Sequence, residues 1–247
     1  MVLQPVFSSV LYVSGSNAAA LAALPCLTHL SAAGLFVAWS SLAASPSLTS
    51  IHARDNEGES YLPQIQALSR LRHLSLVKSG FAEQSFGRFF TDPNLLQLVT
   101  LTFEGLHCGL IASDCPPTIT PAEYSEVFKQ LSCLRLLDLR RCIDIQAMLP
   151  HLAHCAQLTQ LTIEPHWDRD NADCLGALFE LLCVSPHLSC EVLLHSFHSA
   201  ESRAKFAAFP DLPDRRRRYA IREVPGATVQ PLFQPRLLQD WTQPLNR

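Results

Sequence analysis

The pattern L-x-x-L-x-x-L-x-L recurs along the chain. Its first clear copy runs through Leu24, Leu27, Leu30 and Ala32, and a second through Ser45, Leu48, Ile51 and Ala53. It returns at Leu68, Leu71, Leu74, Leu76, then at Leu95, Leu98, Leu101, Phe103, then at Leu131, Leu134, Leu137, Leu139. A further copy uses Cys155, Leu158, Leu161 and Ile163. A degenerate copy starts at Ser185 and Leu188 and slips by one residue into Val192 and Leu194. A weak N-terminal copy uses Phe7, Val10 and Tyr12. The second position of each copy falls at 27, 48, 71, 98, 134, 158 and 188. Alternate residues of a strand point the same way, so each L-x-L pair predicts a short strand with both apolar side chains on one face.

The remainder of each unit predicts a return segment, largely helical. Candidate helices cover 17–24, 35–44, 60–69, 82–91, 120–131, 145–154 and 171–184. The best-marked start is Thr120-Pro121-Ala122-Glu123. Thr120 suits the cap, Pro121 the first helical position, and Glu123 closes a capping box. The long 98-to-134 spacing predicts an inserted loop near Cys115-Pro116-Pro117.

Successive spacings are 21, 23, 27, 36, 24 and 30 residues, mostly within or near the 20–29 window of leucine-rich repeats. The chain from about residue 7 to 195 therefore resembles that family. The resemblance implies an α/β solenoid, a horseshoe with short parallel strands on the concave face and helices on the convex face. It sets residues 1–198 as about seven to eight irregular repeats. Residues 199–247 follow as a capping helix with a basic, proline-containing tail. One stretch is closer to a subtype. Leu134, Leu137, Leu139, Cys142 and Cys155 resemble the cysteine-containing repeat of F-box-type proteins. That resemblance implies a second function, the substrate receptor of an SCF-type ubiquitin ligase that docks on a Skp1-like adaptor. The F-box that would precede such repeats is not seen.

The residues flanking each buried pair would face the concave surface and form the partner-binding site. On successive strands these are His29, Ser31, Ala33; Ser50, His52, Arg54; and His73, Ser75, Val77. They continue with Thr100, Thr102, Glu104; Leu136, Asp138, Arg140; and Gln160, Thr162, Glu164. Trp167, just after a strand, is a candidate hot spot or a buried loop residue. His29, His52 and His73 come from adjacent units, so three readings fit: solvated histidines, a binding or pH-responsive patch, or a metal site. Asp138, Arg140, Glu104 and Glu164 form a mosaic that either steers a charged partner or neutralises itself.

Composition narrows the function classes. Hydrophobic residues make up 48% of the 247 and charged residues 17%, enough for a continuous core. The net charge is −3, but residues 1–198 carry −7 and residues 199–247 carry +4. The tail holds Arg215, Arg216, Arg217 and Arg218, a run that suits a solvated turn or a nuclear-import signal. Interleaved aromatic residues for base stacking are missing, which argues against nucleic acid as a ligand. No charged residue precedes Arg54. The stretch nevertheless lacks the basic start of a signal peptide, and polar residues such as His29 and Ser40 interrupt a membrane span. Nine cysteines without a paired spacing suit reduced thiols in the cytoplasm or nucleus.

Signatures of catalysis are absent: no G-x-S-x-G, phosphate-binding loop, G-x-G-x-x-G or H-E-x-x-H occurs. The clusters His151, His154, Cys155 and His195, His198 lack the spacing of a zinc site. The sequence thus leads to a non-enzymatic interaction module that binds a protein partner, with no cofactor, no metal and no membrane; the other class it leaves open is an enzyme with an unrecognised site.

Overall fold

The computed structural model describes residues 26–33, 45, 47–54, 65–77, 80–81, 85–105, 107–108, 120–142, 145–165, 172–195, 200–207 and 218–224. The architecture is α/β, built on an open sheet of eight parallel strands. Its strands are β1 (His29–Ala33), β2 (Ser50–Arg54), β3 (His73–Val77), β5 (Thr100–Glu104), β7 (Leu136–Arg140), β8 (Gln160–Glu164), β9 (Ser189–His195) and β10 (Tyr219–Val224). They lie side by side in chain order, an arrangement compatible with a solenoid. Two short strands, β4 (Gly80–Phe81) and β6 (His107–Cys108), pair separately in parallel. The α-helices among the described residues include α1 (Ser85–Phe90), α2 (Pro121–Gln130), α3 (Ile145–Met148), α4 (Ala172–Val184) and α5 (Ala200–Ala207).

The first six main-sheet strands fall on the L-x-L pairs, and all pair in one register. Leu30, Ile51, Leu74, Leu101, Leu137 and Leu161 are mutual neighbours across the sheet and are all buried. One residue pair further on, Ala53, Leu76, Phe103, Leu139 and Ile163 form a second buried row. A period of two fixes this outcome, because a one-residue slip would turn every leucine to the opposite face.

The leading L-x-x-L of each unit makes a turn rather than a strand. The N–H of Leu71 donates to Leu68, that of Leu98 to Leu95, that of Leu134 to Leu131 and that of Leu158 to Cys155, at 2.9–3.1 Å. Each strand start is then tied to the unit before it. The carbonyls of Thr28, Thr49, Arg72, Val99 and Arg135 each accept two N–H groups from the next unit, at 2.7–3.1 Å. The turn buries its leucines, and these bonds satisfy the first two N–H groups of each following unit.

Helix α2 starts as its sequence predicts. Thr120 accepts from the Glu123 N–H, the Glu123 carboxylate accepts from the Thr120 N–H at 2.7 Å, and Pro121 opens the first turn. Its Tyr124, Val127 and Phe128 are buried. The helix expected at 82–91 is α1, whose Phe90 meets Phe103 of β5 edge-on at 5.5 Å. The segment expected as one helix at 145–154 begins as α3 and tightens into a 3-10 turn over Leu149–His154, with Pro150 in its first turn. The expected helices 17–24 and 35–44, the copy at Phe7, Val10 and Tyr12, and the loop at Cys115 lie outside the described residues. Of 60–69, only 65–69 are described, and residues 65 and 66 are helical.

The two cysteines of the subtype resemblance are buried. The Cys142 thiol donates to the carbonyls of Phe103 and Arg140, both at 3.6 Å, and Cys155 donates to Phe128 at 3.2 Å. A thiol fills the volume of a small apolar side chain and still offers a weak donor to a buried carbonyl. Burial pushes the Cys155 thiol up to about 12, away from reactivity.

The C-terminal end differs from expectation in two respects. The inward row enters β9 at Cys190 and Val192, paired with Leu161 and Ile163. The unit is therefore one residue short after Leu188, and Cys190 takes the place of a leucine. The sheet also runs past residue 198. Strand β10 adds to β9 in parallel, with Tyr219 beside Cys190. The Tyr219 hydroxyl donates to the Phe206 carbonyl of α5 at 3.2 Å. Arg218 stitches this end together: its guanidinium donates to the Leu182 and Ser185 carbonyls, at 3.0 and 3.1 Å. A cation suits these carbonyls, which lie at the negative pole of the helix. Among the described residues, no helix is long and apolar enough to cross a membrane.

Candidate functional site

Parallel sheets are ordinarily buried on both faces. In this one the second face is polar and half-buried, because the residues alternating with the leucines are Ser, Thr, His and charged groups. The sheet register lines them up in rows. His29, Ser50, His73, Thr100, Leu136 and Gln160 form one row. Ser31, His52, Ser75, Thr102, Asp138 and Thr162 form the next. Arg54, Val77, Glu104, Arg140 and Glu164 close the face at the strand ends.

The face has two electrostatic halves. Strands β1 to β3 hold three histidines and Arg54, with no carboxylate; Asp55, Glu57 and Glu59 follow in the chain outside the described residues. His29 and His73 flank Ser50 in one row, about 10 Å apart at two strand spacings. His52 Nδ1 lies 2.9 Å from the Ser75 hydroxyl, and His73 Nδ1 lies 2.9 Å from that of Thr100. His29 Nδ1 is 2.7 Å from the Thr28 hydroxyl. Burial lowers the pKa of His52, with Arg54 adding to the effect. Burial also lowers that of His73, with His29 and Arg72 adding to it. Both rings are therefore neutral at pH 7 and bonded to hydroxyls.

The other half, from β5 onward, is built of paired charges. Arg140 binds Asp138 through two nitrogens, each at 3.0 Å, and reaches Glu104 at 3.5 Å. Burial raises the Asp138 pKa, and Arg140 works against that shift. Replacing Arg140 by Met should push the Asp138 carboxyl further up. A carboxyl-carbon NMR titration of the variant against wild type reads this shift directly, and an unchanged or lower pKa would contradict the pairing.

Several expected site residues are placed differently. Val77 is buried at 2% exposure and Glu164 at 3%, so neither side chain is open to a partner. Glu164 instead accepts from Arg141 Nε at 2.8 Å. Arg218, expected in a basic tail, is the clamp between α4 and β10 described above. Trp167, Arg215, Arg216 and Arg217 lie outside the described residues, and so does His198. The His151, His154, Cys155 cluster is divided: His151 stacks on Tyr124 with ring centres 6.3 Å apart, and Cys155 turns inward to Phe128. Among the described residues, no three His, Cys, Asp or Glu side chains group to hold a metal ion.

The structure also adds residues to this face. Glu191 on β9 sits beside Thr162, and Arg222 on β10 reaches it at 3.2 Å. The shortened Leu188-to-Cys190 spacing was the only sequence signal for Glu191; β10 has no L-x-L pair to mark it. No protein-family model matches the chain, and no curated protein matches it either.

Proposed function

We propose that the chain is a leucine-rich-repeat horseshoe that binds a partner protein on its concave face, the polar side of the sheet, and does no chemistry there. The observation that carries this reading is the register of that face. Thr102, Asp138 and Thr162 stand in line on consecutive strands, each half-buried, in a position where parallel sheets are usually covered. A rigid sheet holding short polar side chains in fixed rows loses little entropy on binding, and the flanking ion pairs set the register of a partner. The step from repeat fold to binding rests on analogy at the level of the fold.

The test introduces bulk and charge in the middle of the face. Thr102→Arg with Thr162→Arg should abolish capture of specific partners from native cells, while Glu126→Arg on the exposed side of α2 should leave capture intact. Partners retained by the double variant, or lost equally from both, would overturn the reading. Far-UV circular dichroism confirms that each variant is folded.

A further inference from the structure

We infer that the β1–β3 half of this face is a docking site for an acidic protein segment, which it holds more tightly as pH falls. The inference rests on the proposed binding role of the face and names the partner chemistry. Three observations support it. His29, His52 and His73 stand on three adjacent strands, with Arg54 beside His52 on β2. No carboxylate on these strands answers them among the described residues. The next half of the sheet, by contrast, already pairs its carboxylates with Arg140, so it has little left for a cationic partner.

The groups facing each ring decide how the site titrates. His52 meets Arg54 on its own strand and Ser75 on β3, and it feels Glu104 from β5 and Arg140 from β7. His73 meets Thr100 on β5 and feels His29 from β1 and Arg72. Two of the three charges around His52 are positive, and both His29 and Arg72 act on His73 to lower its pKa. Burial first, and these charges second, make each ring resist a proton in the free protein, and both pKa values lie below that of an ordinary imidazole. A carboxylate laid across the histidines supplies the missing negative charge and favours the imidazolium. Binding then takes up protons, so affinity rises as pH falls toward the free-state pKa values. Above the bound-state pKa values, Arg54 alone carries the attraction.

The probe is a fluorescein-labelled oligoaspartate peptide, whose side chains stay ionised down to about pH 5. Its anisotropy is titrated with the full chain at about pH 7.5 and at the lowest pH where far-UV circular dichroism is unchanged. Saturable binding should tighten about fivefold or more over that interval. His52→Gln with His73→Gln keeps neutral hydrogen-bonding side chains and should remove the pH dependence. Arg54→Gln should weaken binding at both pH values. No saturable binding, binding without pH dependence, or pH dependence that survives the double His→Gln variant would each overturn the inference. Equal binding of a single-stranded DNA oligomer, lost in the same variants, would overturn the assignment to a protein segment. If the oligoaspartate fails while Thr102→Arg with Thr162→Arg still abolishes partner capture, the binding role stands and only the acidic docking site falls.

Discussion

Leu137→Ala and Leu161→Ala should each destabilise the fold by on the order of 2–5 kcal/mol in chemical denaturation. Both leucines are about 1% exposed or less and face each other across the β7–β8 pair. Removing either opens a cavity between stacked strands, and its neighbours Leu139 and Ile163 are held by the same register and cannot close in. Thr102→Ala is the contrast. Thr102 occupies the alternate position on β5, half-buried and on the polar face, so its truncation should stay within about 0.5 kcal/mol. The pattern matters more than any one number. Similar small effects at all three positions would mean that the L-x-L pairs do not point inward.

Arg141→Ala should cost about 2–4 kcal/mol, and Arg141→Gly about 1 kcal/mol less. The side chain of Arg141 pairs with Glu164, which is 3% exposed, and its removal leaves a buried carboxylate undercompensated. Arg141 itself is 33% exposed, so solvent softens the loss below that of a fully buried pair. The backbone explains the difference between the two variants. Arg141 has φ 55°, and Gly105 has φ 64°. The two occupy the same place, one residue past the ends of β7 and β5. The N–H of Gly105 donates to the carbonyl of Arg140 and that of Arg141 to the carbonyl of Glu164, at 2.8 and 3.2 Å. This left-handed step turns each chain off the sheet while keeping the last rung of the ladder. Gly105 enters it freely; Arg141 enters it under strain and is held by its carboxylate. Glycine at 141 relieves the strain but not the lost pair. In a Glu164→Gln background, Arg141→Ala should cost markedly less, because no buried charge is left behind. Equal costs in the two backgrounds would show that the pair contributes nothing.

Much of the fold was legible from spacing. A period of two places Leu74 and Leu76, or Leu137 and Leu139, on one side of a strand without any knowledge of neighbours. A recurring 21-to-27-residue interval between most copies implies that such strands stack. The face opposite the leucines followed by subtraction, so Ser75, Thr102 and Asp138 were placed correctly on it. The candidate site was less legible, because exposure depends on what approaches from other strands. Glu164 alternates like Glu104, yet Arg141 from the preceding unit closes over it. Val77 is apolar in a polar row and is buried.

Sequence by itself therefore determined the first six strand positions of the main sheet, their inward rows, the Thr120 cap and much of the composition of the polar face, because these are local and periodic properties. Only the tertiary structure decided the rest. It showed that β10 completes the sheet, although residues 219–224 carry no L-x-L signature and are held by pairing with β9. It turned Arg218 from one member of a basic run into a clamp on the end of α4. It separated a half of the face that holds histidines bonded to hydroxyls from an ion-paired half. Most of those outcomes depend on contacts between residues more than 20 positions apart, as between Arg218 and Leu182 or His52 and Ser75. Such contacts are set by how the units stack, a property that no single unit's sequence carries.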